Sequence, residues 1–159
     1  MSDKLTRAIT KDGFFKISAV VSTETAEAAR RFHNSSPVAT AALGRLLSAG
    51  LLMGGELKED KAKLTLQISG DGPLGMIVVS ANSHGQVKGY TSNPQVDLPL
   101  KENGKLDVGG AVGKGVLSVI KDLCLKEPYV GQVQIQTGEI AEDLAYYFMQ
   151  SEQVPSVVA

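Results

Sequence analysis

Polar and apolar positions along the chain follow several patterns. "LTRAIT" and "FFKISAVVS" are joined by "KDG", where Asp12-Gly13 is a strong hairpin signal, so two antiparallel strands are predicted over about 4–10 and 14–21. "STETAEAARRFHN" has helical character: Ser22 or Thr23 can cap its first turn, Glu24 and Glu27 suit the positive end, and Arg30 and Arg31 suit the negative end. Ser36 with Pro37 then starts a second helix. "VATAALGRLLSAGLLMGGEL" is apolar nearly all the way round. A helix without a wet face is either buried or in a membrane. Arg45 and Ser48 near its middle argue against a membrane span, and its Ala and Gly residues would let other elements approach closely.

From Ala62 the period changes to two. "KLTLQIS", "MIVVSAN" and "QVKGYTS" read as a meander of three strands. "NPQVDLPLKENGKLD" reads as a loop, and "GVLSVIKDL" and "GQVQIQTG" as a further strand pair. "IAEDLAYYFMQSEQ" reads as an amphipathic helix with Ile140, Leu144, Tyr147 and Phe148 on one face. The end, "VPSVVA", is apolar and strand-like, which suggests a domain cut before it is finished. The pattern gives one α+β domain over residues 1–159, with layered β-sheets and a buried apolar helix.

Composition narrows the function classes. Lys and Arg number 16 and Asp and Glu 17, a net charge of -1, so no bulk attraction to nucleic acid or an anionic membrane is indicated. Four Phe, four Tyr and no Trp are thin for a base-stacking surface. Cys124 is the single cysteine, so neither an internal disulfide nor a cysteine-rich zinc site can form. "MSDKLTRAIT" has no apolar secretory core, and together these features point to the cytoplasm.

Two glycine-rich stretches invite a nucleotide reading. "GDGPLG" matches G-x-G-x-x-G at Gly70, Gly72 and Gly75, with Asp97 downstream where a ribose-binding carboxylate could sit. The mechanism needs a helix after the glycines, whereas "MIVVS" is strand-forming. The stretch reads as a hairpin turn shaped by Asp71-Gly72-Pro73, with Gly70 and Gly75 allowing bulges or close backbone approach. "VGGAVGKG" fails the phosphate-loop pattern twice, with Val108 where a Gly is needed and Gly115 where Ser or Thr should follow Lys114. It reads as a flexible connection into the strand from Val116. His33 and His84 read as surface or capping residues, and Cys124 as an inert, partly buried thiol despite Lys121 and Lys126 nearby. Glu59-Asp60 and Glu142-Asp143 read as solvated faces. No catalytic, metal-binding or cofactor-binding residue emerges, and no substrate-binding residue can be located. Much apolar surface in a chain without a catalytic constellation points to binding other proteins.

Three stretches, "LTLQISGDGPLGMIVVSANSHGQVKGY", "GKLDVGGAVGKGVLSVIKDL" and "YVGQVQIQTGEIAEDLAYYFMQSEQVPS", closely resemble the N-terminal domain of the heat-shock protein 33 family. Its most specific pieces are the "GDGP" hairpin and the helix end carrying Tyr147-Phe148, Ser151-Glu152-Gln153 and Pro155; "RRFHNSSPVATAALGRLLSAGLLMG" fits its buried helix. The resemblance implies an α+β substrate-binding and dimerisation domain. The implied activity is that of an ATP-independent, redox-regulated bacterial holdase chaperone, which binds unfolding client proteins through apolar surface in the cytoplasm. It also implies a homodimer in the active state, and an unfinished sheet admits domain swapping. The family's redox switch is a C-terminal zinc-binding region with a Cys-x-Cys and a Cys-x-x-Cys. None of those four cysteines is in this chain, so zinc is expected only outside it, and no cofactor is expected within it. Two other readings remain: an enzyme that binds a nucleotide or phosphate at its glycine loops, and an inert structural or dimerisation module.

Overall fold

The computed structural model describes residues 2–159. The element order is β1 (Lys4–Ile9), β2 (Lys16–Val21), α1 (Thr23–His33), α2 (Pro37–Gly54), β3 (Lys63–Gly70), β4 (Met76–Asn82), β5 (Val87–Thr91), α3 (Val108–Val112), β6 (Gly115–Asp122), β7 (Tyr129–Gln134) and α4 (Ala141–Ser151). β1 and β2 form a two-stranded antiparallel ribbon. The other five strands form one sheet in the order β5-β4-β3-β6-β7, antiparallel throughout.

The alternation in β3 explains why the sheet has one apolar face. Leu64, Leu66 and Ile68 are buried, and the register sets them beside Ala81, Val79 and Ile77 of β4 and opposite Leu117 and Val119 of β6. Helix α2 is packed between this sheet and the ribbon, with α1 and α3 alongside. That is why α2 needs no wet face. It is long and apolar enough to cross a bilayer by composition alone, but most of it is buried within the fold. Its small residues serve close approach, as expected. A Cβ at Gly50 would lie 2.7 Å from the Val79 side chain, and one at Gly54 would lie 2.9 Å from the Asn82 carbonyl.

Helix boundaries follow capping chemistry, with one correction. Ser36 caps α2, its Oγ accepting from the Ala39 N–H at 3.3 Å, with Pro37 in the first turn. At α1 neither Ser22 nor Thr23 supplies the cap. The Asp3 carboxylate does, accepting from the Glu24 N–H at 2.9 Å and from the Thr25 N–H and hydroxyl at 2.7 Å each. A carboxylate is the stronger acceptor at a helix N-terminus. Ser22 instead shares a 2.7 Å hydrogen bond with Ser48, which ties α1 to α2.

Two further expectations are corrected. Residues Val108–Val112 form a short helix where a flexible glycine connection was expected, because Asp107 caps the Gly110 N–H at 2.9 Å and fixes the first turn. "VPSVVA" joins no strand. Gln153 takes a left-handed φ of 55°, and the Val154 N–H returns to the Phe148 carbonyl at 3.0 Å, which turns the chain off α4.

Candidate functional site

The two glycine motifs meet each other. The hairpin tip between β3 and β4 docks on the C-terminal end of α3. The N–H groups of Asp71, Gly72 and Leu74 donate to the carbonyls of Lys114, Val112 and Ala111 at 2.8, 3.0 and 3.1 Å, and the Lys114 N–H returns a bond to Asp71 Oδ1 at 2.7 Å. A Cβ at Gly70 would stand 1.9 Å from the Val112 carbonyl oxygen, and one at Gly72 would stand 2.4 Å from that of Ala111. The third glycine, Gly75, has φ +67°. The donors that a phosphate would need are thus spent on backbone carbonyls, and β4 occupies the place of the required helix. Asp97 is exposed in the loop after β5. The depression beside the motifs, lined by Asp71, Gly113, Lys114, Gln136 and Thr137, is shallow and open.

The remaining sequence candidates are dispersed. His33 donates from Nε2 to the Gly89 carbonyl at 2.9 Å, and His84 lies 3.0 Å from Asp60 at the surface, in line with surface or capping roles. Cys124 is exposed, not partly buried: it sits in a turn with φ 62°, its N–H bonded to Asp122 Oδ1, where the chain has left β6. Among the described residues no three His, Cys, Asp or Glu side chains are grouped so as to hold a metal ion. With one cysteine and two separated histidines, these residues do not fit the zinc site that the resemblance implies.

Two polar clusters, one buried and one partly exposed, escaped the sequence reading. Asp143 is 1% exposed, which corrects its reading as part of a solvated face. Its Oδ1 accepts from the N–H groups of Gln136 and Thr137 at 2.7 and 2.9 Å, and Oδ2 accepts from that of Ile140 at 3.0 Å. Ile140 is held there at φ 76°, a rare conformation for a β-branched residue. Glu139 gathers a second cluster. It accepts from Arg45 of α2 at 2.7 Å, from Lys101 at 2.5 Å and from the Gly109 N–H of α3 at 3.3 Å. Burial pushes its carboxyl up, but the hydrogen bonds from Lys101 and Arg45 outweigh this and hold it below the ordinary glutamate value.

The helix end that carried the resemblance acquires a physical account. The Tyr147 ring is fully buried, and its hydroxyl donates to Glu152 Oε1 at 3.0 Å; Glu152 also pairs with Lys121 of β6. Burial first, and then the negative Glu152, push the Tyr147 hydroxyl well above its usual pKa, so it remains a donor. Tyr147, Glu152 and Lys121 together fasten the end of α4 to the sheet.

Comparison with known proteins places this architecture. The family model described as Hsp33 protein matches residues 3–159. The chain belongs to the Hsp33 family. A 33 kDa chaperonin of Clostridium perfringens is 60% identical over 161 aligned positions, covering 100% of this chain and 50% of the relative. One of Agathobacter rectalis is 58% identical over 158 positions, covering 99% of this chain and 55% of the relative. The crystal structure of the Hsp33 homologue of Thermotoga maritima superposes with a TM-score of 0.91 at 47% identity, covering 95% of this chain and 52% of that one. The chain therefore spans about half the length of the curated relatives it matches.

Exposed apolar side chains lie at several places on the surface, the first of them the β1–β2 hairpin. In and beside the ribbon, Phe14 is 83% exposed, Phe15 68%, Ile9 67% and Ile17 59%. Phe32 at the end of α1 and Leu125 and Val130 around β7 are also exposed. Patches of this sort mark protein-binding surfaces. The hairpin itself was legible in Asp12-Gly13. Its outward apolar face was not, because alternation cannot say which side of a two-stranded ribbon meets solvent.

Proposed function

We propose that this chain is the client-holding part of a chaperone: it binds unfolding proteins on exposed apolar surface, without ATP, and keeps them from aggregating. The observation that carries this reading is the exposure of Phe14, Phe15, Ile9 and Ile17 along one hairpin in a chain of the Hsp33 family. The glycine loops that suggested a nucleotide bind one another. The proposal extends to a cytoplasmic setting, a homodimeric active state and redox control through zinc-binding cysteines. Since Cys124 is the single cysteine, that control attaches to no residue of this chain.

The test is light scattering by a thermally unfolding client. Suppression at roughly stoichiometric amounts, unchanged by ATP, is expected. Aggregation at the same rate with and without the chain would remove the reading, and heat evolved on titrating millimolar nucleotide would restore the enzyme alternative.

A further inference from the structure

Backbone strain is concentrated at the two ends of α4. Among the described residues, four that are not glycine take a positive φ: Asn34, Cys124, Ile140 and Gln153. Asparagine tolerates the left-handed region, and Cys124 sits in the turn between β6 and β7. The other two flank α4. Ile140, at φ 76° and ψ -51°, is the centre of a γ-turn of the rare, strained hand, closed by the Ala141 N–H on the Glu139 carbonyl at 3.0 Å. Gln153, at φ 55°, stands where a glycine ordinarily ends a helix. Residues in such conformations persist only where the contacts around them hold them. Opening α4 relaxes both of these, whereas opening any other single element relaxes at most one.

Three carboxylates hold the helix in place. Asp143 binds the N–H groups of Gln136, Thr137 and Ile140, so the turn and the helix move together. Glu139 fastens the turn to Arg45 of α2, to Lys101 and to the Gly109 N–H of α3, and its carbonyl also accepts from Arg45 at 3.2 Å. Glu152 fastens the far end to Lys121 of β6 and to the Tyr147 hydroxyl. Between these clasps α4 packs on β7. The Tyr147 ring lies over Gly131, where a Cβ would stand 2.8 Å from it, and Val133 is buried on the same face of the strand. We infer that residues 136–153 are a latch: they open as one unit ahead of the rest of the fold and uncover the apolar side chains of Leu144, Tyr147 and Val133, while α2 and the strands from β3 to β6 stay formed. The strained turns favour opening, and the three carboxylates and the Tyr147 ring oppose it.

Native-state hydrogen exchange of the 159-residue chain tests the latch. The hydrogen-bonded amides of α4 should exchange together, at least about tenfold faster than the slowest amides of α2. Ser36→Ala, which removes the cap of α2, should quicken those α2 amides about fivefold and leave α4 unchanged. Gln153→Gly, at an exposed position, should slow exchange in α4 about threefold, and Gln153→Ala should not. Lys121→Met should quicken it about fivefold. Thiol labelling in a Cys124→Ser background reads the uncovered face: Val133→Cys should be labelled well ahead of Val79→Cys, which lies against Gly50 of α2. Exchange of α4 and α2 at one rate, a Ser36→Ala effect shared by α4, no response to Gln153→Gly or Lys121→Met, or labelling of Val133→Cys in step with Val79→Cys would each overturn the latch. None of these outcomes bears on the aggregation of a client, so the client-holding reading stands or falls separately, on light scattering.

Discussion

Asp143 holds the N–H groups of Gln136, Thr137 and Ile140 from a position 1% exposed, so removing it would orphan one buried and two partly buried donors together. Asp143→Ala should cost about 3 kcal/mol or more, read as a lower urea midpoint; Asp143→Asn, which keeps an acceptor, should cost less. Glycines divide in the same way. Gly70→Ala would drive a Cβ to 1.9 Å from the Val112 carbonyl and must break the docking of hairpin on α3, whereas Gly13 has φ +74° and open space around it. Gly13→Ala should therefore cost only about 1 kcal/mol, and Gly70→Ala several times that. At this scale the sequence was legible where chemistry is local, as with Ser36 beside Pro37. It was not legible where the partner comes from far along the chain. Nothing adjacent says that residues 136–140 fold over Asp143, or that Asp3 reaches α1 across twenty residues of hairpin.

Elements were recognised when their period was sustained. The strands of the five-stranded sheet and the all-apolar α2 appear where alternation and uniform apolarity place them, because burial on one face or on every face leaves a clear trace. Helix α3 left none: five residues with two glycines carry no period, and its helicity rests on the Asp107 cap and on its packing beside α2 and β3. Its placement also rests on Glu139, which bonds Gly109 while pairing with Arg45 and Lys101. That cluster makes stability depend on pH. Because the Glu139 carboxyl is held below its ordinary value of 4.5, its stabilisation is present above that value and is lost as pH falls through the lower, folded-state value. Glu139→Gln should therefore lower the urea midpoint at pH 7, and the gap to the unaltered chain should shrink on acidification below about pH 4. A constant gap between pH 7 and pH 3 would show that the cluster is held by packing alone.

Over the whole molecule, the core is assembled on α2, and the features that looked like chemistry in the sequence are absorbed into structure. The glycine motifs lock a hairpin to a helix, and the signature at the end of α4 fastens Tyr147, Glu152 and Lys121. What remains for the proposed client-holding role is surface, and the apolar side chains exposed in this chain are open without any change at Cys124. Cys124 lies in the open after β6, away from the candidate ribbon in sequence, and has no second thiol to join within the chain. Peroxide or diamide should accordingly leave the holding activity of this 159-residue chain unchanged while producing a disulfide-linked pair of copies on a non-reducing gel. Cys124→Ser should abolish that pair and keep the activity. Zinc or a chelator should change neither result, since no ligand set gathers among the described residues. A rise in activity on oxidation that Cys124→Ser removes would instead mean that exposure of the binding surface is controlled within this chain, through the one thiol it carries.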